Sequence, residues 1–324
     1  MFLKCWGKSR FFVNVTLVMI VTHPLTASAT ENVGTDGALP WWFWPLILFV
    51  FCFALGIIAV LAGVGGGVLY VPLVSGFFPF HIDFVRGAGL MVALAGALAA
   101  GPGLLRRNLA SLRLALPVAL IASSCSIVGA MLGLYLSRLN PDIVQVCLGT
   151  TIVGIAILLL FSKNTEKPIV RKQDALSLAL GISGAYLDEG TREEVSWKTH
   201  RTPLGLAMFI LVGMLAGMFG LGAGWANVPV LNLVMGVPLK VSVATSKFLL
   251  SITDTSAAWI YMNKGCVITL MAVPSILGLM FGSFVGVRLL SIAKPKFIRY
   301  MVIAVLFFAG LKAIDKGLGL GILG

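Results

Sequence analysis

The sequence predicts an all-α polytopic membrane protein of two inverted-topology repeats, each a glycine-broken helical hairpin followed by three transmembrane helices. Three observations predict it. The 324 residues are 59% hydrophobic and only 11% charged, where a soluble domain carries about 25% charge. The chain falls on itself at an offset of 157 positions. Basic residues gather in one set of loops.

The elements follow in order. Lys4, Lys8 and Arg10 precede an apolar run from Phe11 to Val21 and then "TASAT", an A-x-A pattern ending at Ala29. Residues 1–29 read as a cleaved signal peptide, with a short uncleaved anchor as the alternative. The aromatic run "WWFW" that follows suits a membrane interface. The first repeat covers 41–162, with apolar segments at 41–62, 64–80, 84–105, 112–137 and 142–162. A hydrophilic linker covers 163–201. Within it "DALSLALGISGAYLD" is too short to span and is expected to lie along the surface as an interfacial helix. The second repeat covers 202–324, with segments at 203–222, 224–236, 242–262, 266–290 and 297–315.

The duplication rests on ordered matches. Gly56 falls on Gly213, Gly63 on Gly220, Gly65 on Gly222, Gly67 on Gly224, Pro72 on Pro229, Pro117 on Pro274 and Gly129 on Gly286. After a short gap Pro141 falls on Pro295. One ordered set at one offset marks an internal repeat. If each hairpin returns to its starting side, each copy crosses the membrane an odd number of times and the second copy is inverted. Charge agrees with that. With Trp41 outside, the inside loops hold Arg106, Arg107 and Arg113, then Lys163, Lys167, Arg171, Lys172, Arg192, Lys198 and Arg201 in the linker, then Lys240, Lys294, Lys296 and Arg299. The outside holds Arg86, Arg138, Lys264, Lys312 and Lys316. The formal charge of +12 is therefore read as positive-inside loops, and no nucleic-acid partner is expected.

The two hairpin tips read "VGGGV" and "LGAGW". Glycine opens backbone conformations closed to other residues and lets other groups approach the main chain. Pro72 and Pro229 lack an N–H, and together with the glycines they are expected to break each hairpin into two arms. Irregular backbone at membrane depth survives only when covered by protein or lining a wet cavity, so the uncharged tips are placed inside the protein. Each arm after the break starts at a tip. Its N-terminus carries about half a positive elementary charge and unpaired N–H donors, and two such starts approaching from opposite sides form an anion site. Gly65, Gly66, Gly67, Gly222 and Gly224 are the expected substrate-binding backbone. Close helix packing at small-xxx-small spacing is the competing reading.

"VATSKFLLSITDTSAAW" adds Lys247 and Asp254 inside a span, two turns apart on one face. Intramembrane charges face the bundle or a wet path. Thr245, Ser246 and Lys247, with Asn227 beside the second tip, are the candidate substrate ligands. Asp254 is the candidate for charge balance or a coupling proton. A structural pair, or a Lys247 that reaches to the interface, is the alternative. Arg86 reads as an ordinary flanking arginine, or as an attractor of anions at the exit. Enzymatic chemistry finds no support. There is no H-E-x-x-H, His23, His81 and His200 are scattered, and nothing brings Asp188 to Asp254. Cys52, Cys125, Cys147 and Cys266 fall in or beside apolar segments with no CxxC pair, so no metal, cofactor or disulfide is expected.

The stretches "GVGGGVLYVPLV" and "GLGAGWANVPVLNLVMGVPLKVSVATSKF", with the glycine break, the proline five residues on and the Gly-Val-Pro before Ala-Thr-Ser, resemble the TauE/SafE sulfite exporter family from about residue 45 onwards. The first copy departs from the pattern, with "RGAGL" where the second has "VATSK". The resemblance implies export of sulfite or a small organosulfonate from the cytoplasm. With the inverted repeats, the expected protein is a secondary transporter of the bacterial inner membrane working by alternating access, with protons or a counter-ion as coupling partner, and cleavage of the signal peptide leaves the mature N-terminus periplasmic. A passive anion channel, or transport of another small anion such as a carboxylate or thiosulfate, remains as the alternative.

Overall fold

A computed structural model describes residues 42–62, 65–78, 80–106, 110–161, 168, 173–188, 193–289 and 295–319. The expected signal peptide, tip residues Gly63 and Val64, and the loop cations Arg107, Lys163, Lys167, Arg171, Lys172, Arg192 and Lys294 lie outside the described residues. Trp44–Gly324 packs as one unit.

In chain order the described elements are α1 (Phe43–Ala62), α2 (Gly66–Phe77), α3 (Ile82–Arg106), α4 (Leu112–Leu139) and α5 (Pro141–Phe161). The one-turn α6 (Ala175–Ala179) and strands β1 (Ser183–Asp188) and β2 (Glu193–Lys198) follow. Then come α7 (Thr202–Phe219), α8 (Gly224–Pro229) running into a π-helical turn (Val230–Val234), α9 (Leu239–Asn263), α10 (Thr269–Leu289) and α11 (Pro295–Leu318). Stretches within α3, α4, α5, α7 and α10 are long and apolar enough to cross a membrane. The protein is a mostly helical, multi-pass membrane chain.

Local chemistry sets the boundaries. Ser111 caps α4, its hydroxyl accepting from the Leu114 N–H at 3.4 Å. Asn140 does the same before α5, where Pro141 takes the first position and Oδ1 accepts from the Asp142 N–H at 3.0 Å. At the other end of its helix, α7 stops at Gly220, which adopts φ +69 and donates its N–H to Ala216 O at 3.0 Å.

The linker corrects two expectations. It is not an interfacial helix, and the fold is not purely α. The helix ends after α6, Gly181 adopts φ +60, and β1 pairs antiparallel with β2, Ser183 opposite Lys198. The reason is a period of two: Tyr186 and Trp197 turn inward while Ala185 and Ser196 face out. Buried Ser177 and Thr199 hydroxyls, 2.6 Å apart, tie α6 to the hairpin's end.

The prolines also differ from expectation. The helices start at the glycines, while Pro72 lies well inside α2, which continues to Phe77, and Pro229 ends α8 where the π turn begins. Neighbouring helices let a membrane helix absorb a missing N–H.

Packing pairs the first half with the second: α4 on α7, α5 on α11, α3 on α9. Glycines allow the approach, since small residues let backbones close up where no hydrophobic gradient drives helices together. A Cβ on Gly56 of α1 would stand 3.0 Å from Ser283 N of α10, beside Leu279 O. A Cβ on Gly213 of α7 would stand 3.0 Å from Ala122 Cα of α4, beside Ala122 O. Gly56 and Gly213 are 157 positions apart, and so are Ala122 and Leu279.

Candidate functional site

The first tip is the start of α2. Gly65 is extended (φ −64, ψ 142), and no side chain caps the helix or places an acid in its first turn. Gly65, Gly66 and Gly67 are all buried. The far end of α2 is neutralised instead. The Lys316 ammonium donates to Ser75 O at 2.8 Å, and Lys312 lies 4.4 Å from the Phe77 ring. The positive pole of α2 thus has no side-chain cap among the described residues and lies inside the protein.

The second tip is built differently. α7 ends at Phe219, Gly220 and Gly222 both take positive φ (+69 and +70), and α8 begins at Gly224. Both glycines adopt a backbone that a side chain would strain. The two tips interleave. A Cβ on Gly67 would stand 2.8 Å from Leu221 O, 2.9 Å from Ala93 Cβ and 3.0 Å from Gly89 O. A Cβ on Gly224 would stand 3.5 Å from Gly65 Cα.

Asp254, 0% exposed, reaches this junction from α9. Its Oδ2 lies 2.9 Å from where a Gly222 Cβ would be and has no hydrogen-bond partner among the described residues. The Thr253 hydroxyl, which donates to Leu249 O at 3.0 Å, lies 3.5 Å from Oδ1, and the Ala223 N–H is directed at the carboxylate. A carboxylate at the start of a helix is electrostatically apt. It also means that the second tip already holds an acidic side chain.

The structure separates the other candidates. Lys247 is half-buried about two turns into α9, on the Asp254 face, with no carboxylate within 4.0 Å among the described residues. Thr245 lies nine residues before Asp254, about two and a half turns, and so on the opposite face. Its Oγ1 accepts from the Ser111 N–H at 3.2 Å. Thr245→Val should cost stability by about 1 kcal/mol, read as a lower Tm, and leave anion affinity unchanged. Ser246 is buried beside it. Asn227 is 1% exposed and its Nδ2 has no partner among the described residues, nor has the Trp225 indole N–H at 7% exposure. These two buried donors on α8 are unusual, because buried polar groups are nearly always paired.

Two residues escaped the sequence reading, Trp225 and Tyr261, and the expectation for a third is corrected. Arg86 is no flanking residue. It is 0% exposed, pairs with Asp83, and donates from Nη1 to Met218 O at 2.8 Å. The signal was its place among "FVRGAGL", a charge inside an apolar run. Among the described residues no group of side chains has the spacing to hold a metal ion, and Cys52, Cys125, Cys147 and Cys266 are free thiols.

Comparison with known proteins decides the family. The sulfite exporter TauE/SafE family matches residues 48–313. The chain belongs to the TauE/SafE family. A curated relative, the probable membrane transporter protein YunE of Bacillus subtilis (strain 168), is 26% identical over 281 residues, covering 84% of this chain and 98% of YunE. No solved structure matches the chain. Membership of TauE/SafE makes the protein a multi-pass membrane transporter. The tips described above lie within the matched region.

Proposed function

We propose that the protein is a secondary transporter that exports sulfite or a small organosulfonate across the inner membrane by alternating access. The observation that carries this reading is the start of α2, uncapped by any described side chain, buried inside the protein and interleaved with the second broken helix. The amides of Gly66 and Gly67 offer donors and a positive pole to an oxyanion. Gly65, Gly222 and Gly224 keep side chains out of its way. Asn227 on α8 and Ser246 on α9, both buried, are the further polar candidates. Thr245 drops out of the substrate set because it lies on the face of α9 away from Asp254, turned to the start of α4, where it accepts from the Ser111 N–H.

The geometry supports an asymmetric role for the two tips. Asp254 already occupies the amide end of the second, and a substrate anion arriving at the first would meet a like charge. Opposite charge has to enter with it, as a proton on Asp254 or through the Lys247 ammonium on the same face. Asp254 is therefore assigned the coupling proton and Lys247 the electrostatic attraction.

The inverted-repeat reading is supported by the exchange of partners between Gly56 with Leu279 and Gly213 with Ala122. A two-fold axis relating the halves requires that exchange. Pairing of α3 with α9 and α5 with α11, each between equivalent helices, fits the same axis. Rocking of one half against the other around the tips would expose the site to each side in turn.

The test is a binding and flux screen on purified protein with sulfite, sulfate, thiosulfate, sulfoacetate and simple carboxylates. Saturable counterflow of sulfite in proteoliposomes is the expected result, and unsaturable anion conductance would favour a passive channel. Within that screen, Lys247→Ala should weaken sulfite binding about tenfold, or about 1.4 kcal/mol. Equal affinity would remove Lys247 from the site.

A further inference from the structure

We infer that Arg86 is a positioning residue of the transport site, clasping the end of α7 so that the second tip is held against the first. The inference rests on the reading that the tips hold the substrate. Arg86 itself touches neither tip's amides.

The need arises from the break. A helix that stops in a buried part of the protein leaves its last carbonyls without intrahelical partners, and each must find a donor there. At the end of α7 two side chains supply the donors. Arg86 Nη1 donates to Met218 O at 2.8 Å, and the Tyr261 hydroxyl lies 3.1 Å from both Gly217 O and Met218 O. Arg86 Nη2 extends to Gly133 O of α4 at 3.4 Å and to the Asp83 carboxylate one turn earlier on α3. The guanidinium stands 5.8 Å from the Tyr261 ring centroid. One side chain thus joins α3, α4 and α7, with α9 closing over it through Tyr261.

The main chain completes the clasp. A Cβ on Gly220 would stand 2.7 Å from Arg86 Cα and closer still to Arg86 O. Arg86 therefore grips α7 on both sides of its last residue, by side chain at Met218 and by backbone at Gly220. From there the contact chain is short. Gly220 lies two residues before Gly222, which abuts Asp254. Gly89, three residues after Arg86 on α3, is packed against Gly220 O, 2.8 Å from where its own Cβ would be, and its carbonyl borders Gly67. A displacement at Arg86 reaches both tips through backbone that has no room to absorb it.

The residue type matters. Arginine offers five donors in a planar fork, and a cation suits a helix C-terminus. Lysine could reach one of these carbonyls but not carry Met218 O, Gly133 O and Asp83 together. With Asp83 ion-paired to it, Arg86 contributes little net charge towards a distant anion. Its role is geometric.

The experiment uses the full-length protein in proteoliposomes, with sulfite counterflow as readout and Tm and size-exclusion profile as fold controls. Folded Arg86→Met should raise the KM for sulfite tenfold or more, and Arg86→Lys should lie between it and the wild type. A mere staple would lower Tm and leave the KM of the folded fraction unchanged, and that result overturns the inference. If Arg86→Met does not fold, Arg86→Lys decides: an elevated KM supports positioning, and a wild-type KM overturns it. Gly67→Ala run in parallel separates the two claims. Loss of transport there with wild-type KM in the Arg86 variants sinks only the clasp. Full transport in Gly67→Ala sinks the tip reading on which the clasp depends.

Discussion

Gly67→Ala should abolish sulfite transport in a protein that still inserts and folds. The added methyl would come within 2.8 Å of Leu221 O, 2.9 Å of Ala93 Cβ and 3.0 Å of Gly89 O. Two of those three neighbours are backbone carbonyls, so no flexible side chain can swing aside. Overpacking of this kind costs about 1–3 kcal/mol, small enough for a multi-helix bundle to survive. It is relieved only by moving the first tip away from the second. A shift of roughly 1 Å suffices to spoil a preorganised set of donors. Gly66→Leu meets Leu279 side-chain carbons at 2.8 Å, and Gly224→Leu meets Leu250 at 3.2 Å and the Gly65 backbone behind it. These neighbours have some freedom, and both variants should follow with losses graded by how far the side chains yield. The measurement is sulfite uptake into inverted vesicles, normalised to folded protein. Wild-type flux in Gly67→Ala would remove the backbone pocket from consideration.

Asp254→Asn should uncouple transport. The substitution keeps the shape and retains an oxygen for the Ala223 N–H, with the Thr253 hydroxyl beside it. It deletes the charge that a substrate anion would meet at the second tip. Sulfite binding should therefore persist. The dependence of flux on a proton gradient should fall by about tenfold or more, corresponding to a coupling free energy of about 1.4 kcal/mol or larger. Substrate exchange at equal pH on both sides should remain within about twofold of the wild type, since exchange returns each proton to the side it came from. Gradient-driven flux that survives unchanged would show that the carboxylate balances charge locally and carries no proton. Asp254→Ala is the harsher comparison. It leaves the Ala223 N–H unmatched, and it should lower stability as well as coupling.

Much of this was legible in the residues. Apolar composition and the segment lengths point to a helical multi-pass chain, because a bilayer accepts few other backbones. The positions of both breaks could be read from "VGGGV" and "LGAGW", since clustered glycine has few other uses at that depth. The face shared by Lys247 and Asp254 followed from their spacing alone. Side-chain partnership was less accessible. Thr245 stands beside Lys247 in sequence and looked like a ligand, yet the helical turn carries it to Ser111 on α4. Arg86 looked like a loop cation because its partners, Met218, Gly133 and Tyr261, all lie far along the chain. The β1–β2 hairpin was missed for a local reason. Its alternation of Tyr186 and Trp197 with small residues is brief, and the apolar "ALSLAL" before it has the look of a helix start.

By itself the sequence determined that this chain is helical, belongs in a membrane and must interrupt two of its helices. Those are consequences of backbone hydrogen bonding and of solvent, which act on each segment locally. Only the tertiary structure decided that the interruptions meet, that Asp254 lies at one of them, and that an arginine holds the other side of the break. Contacts between residues far apart in sequence have no local signature. They exist because packing two glycine-lined halves together leaves room at the junction for some groups and none for others.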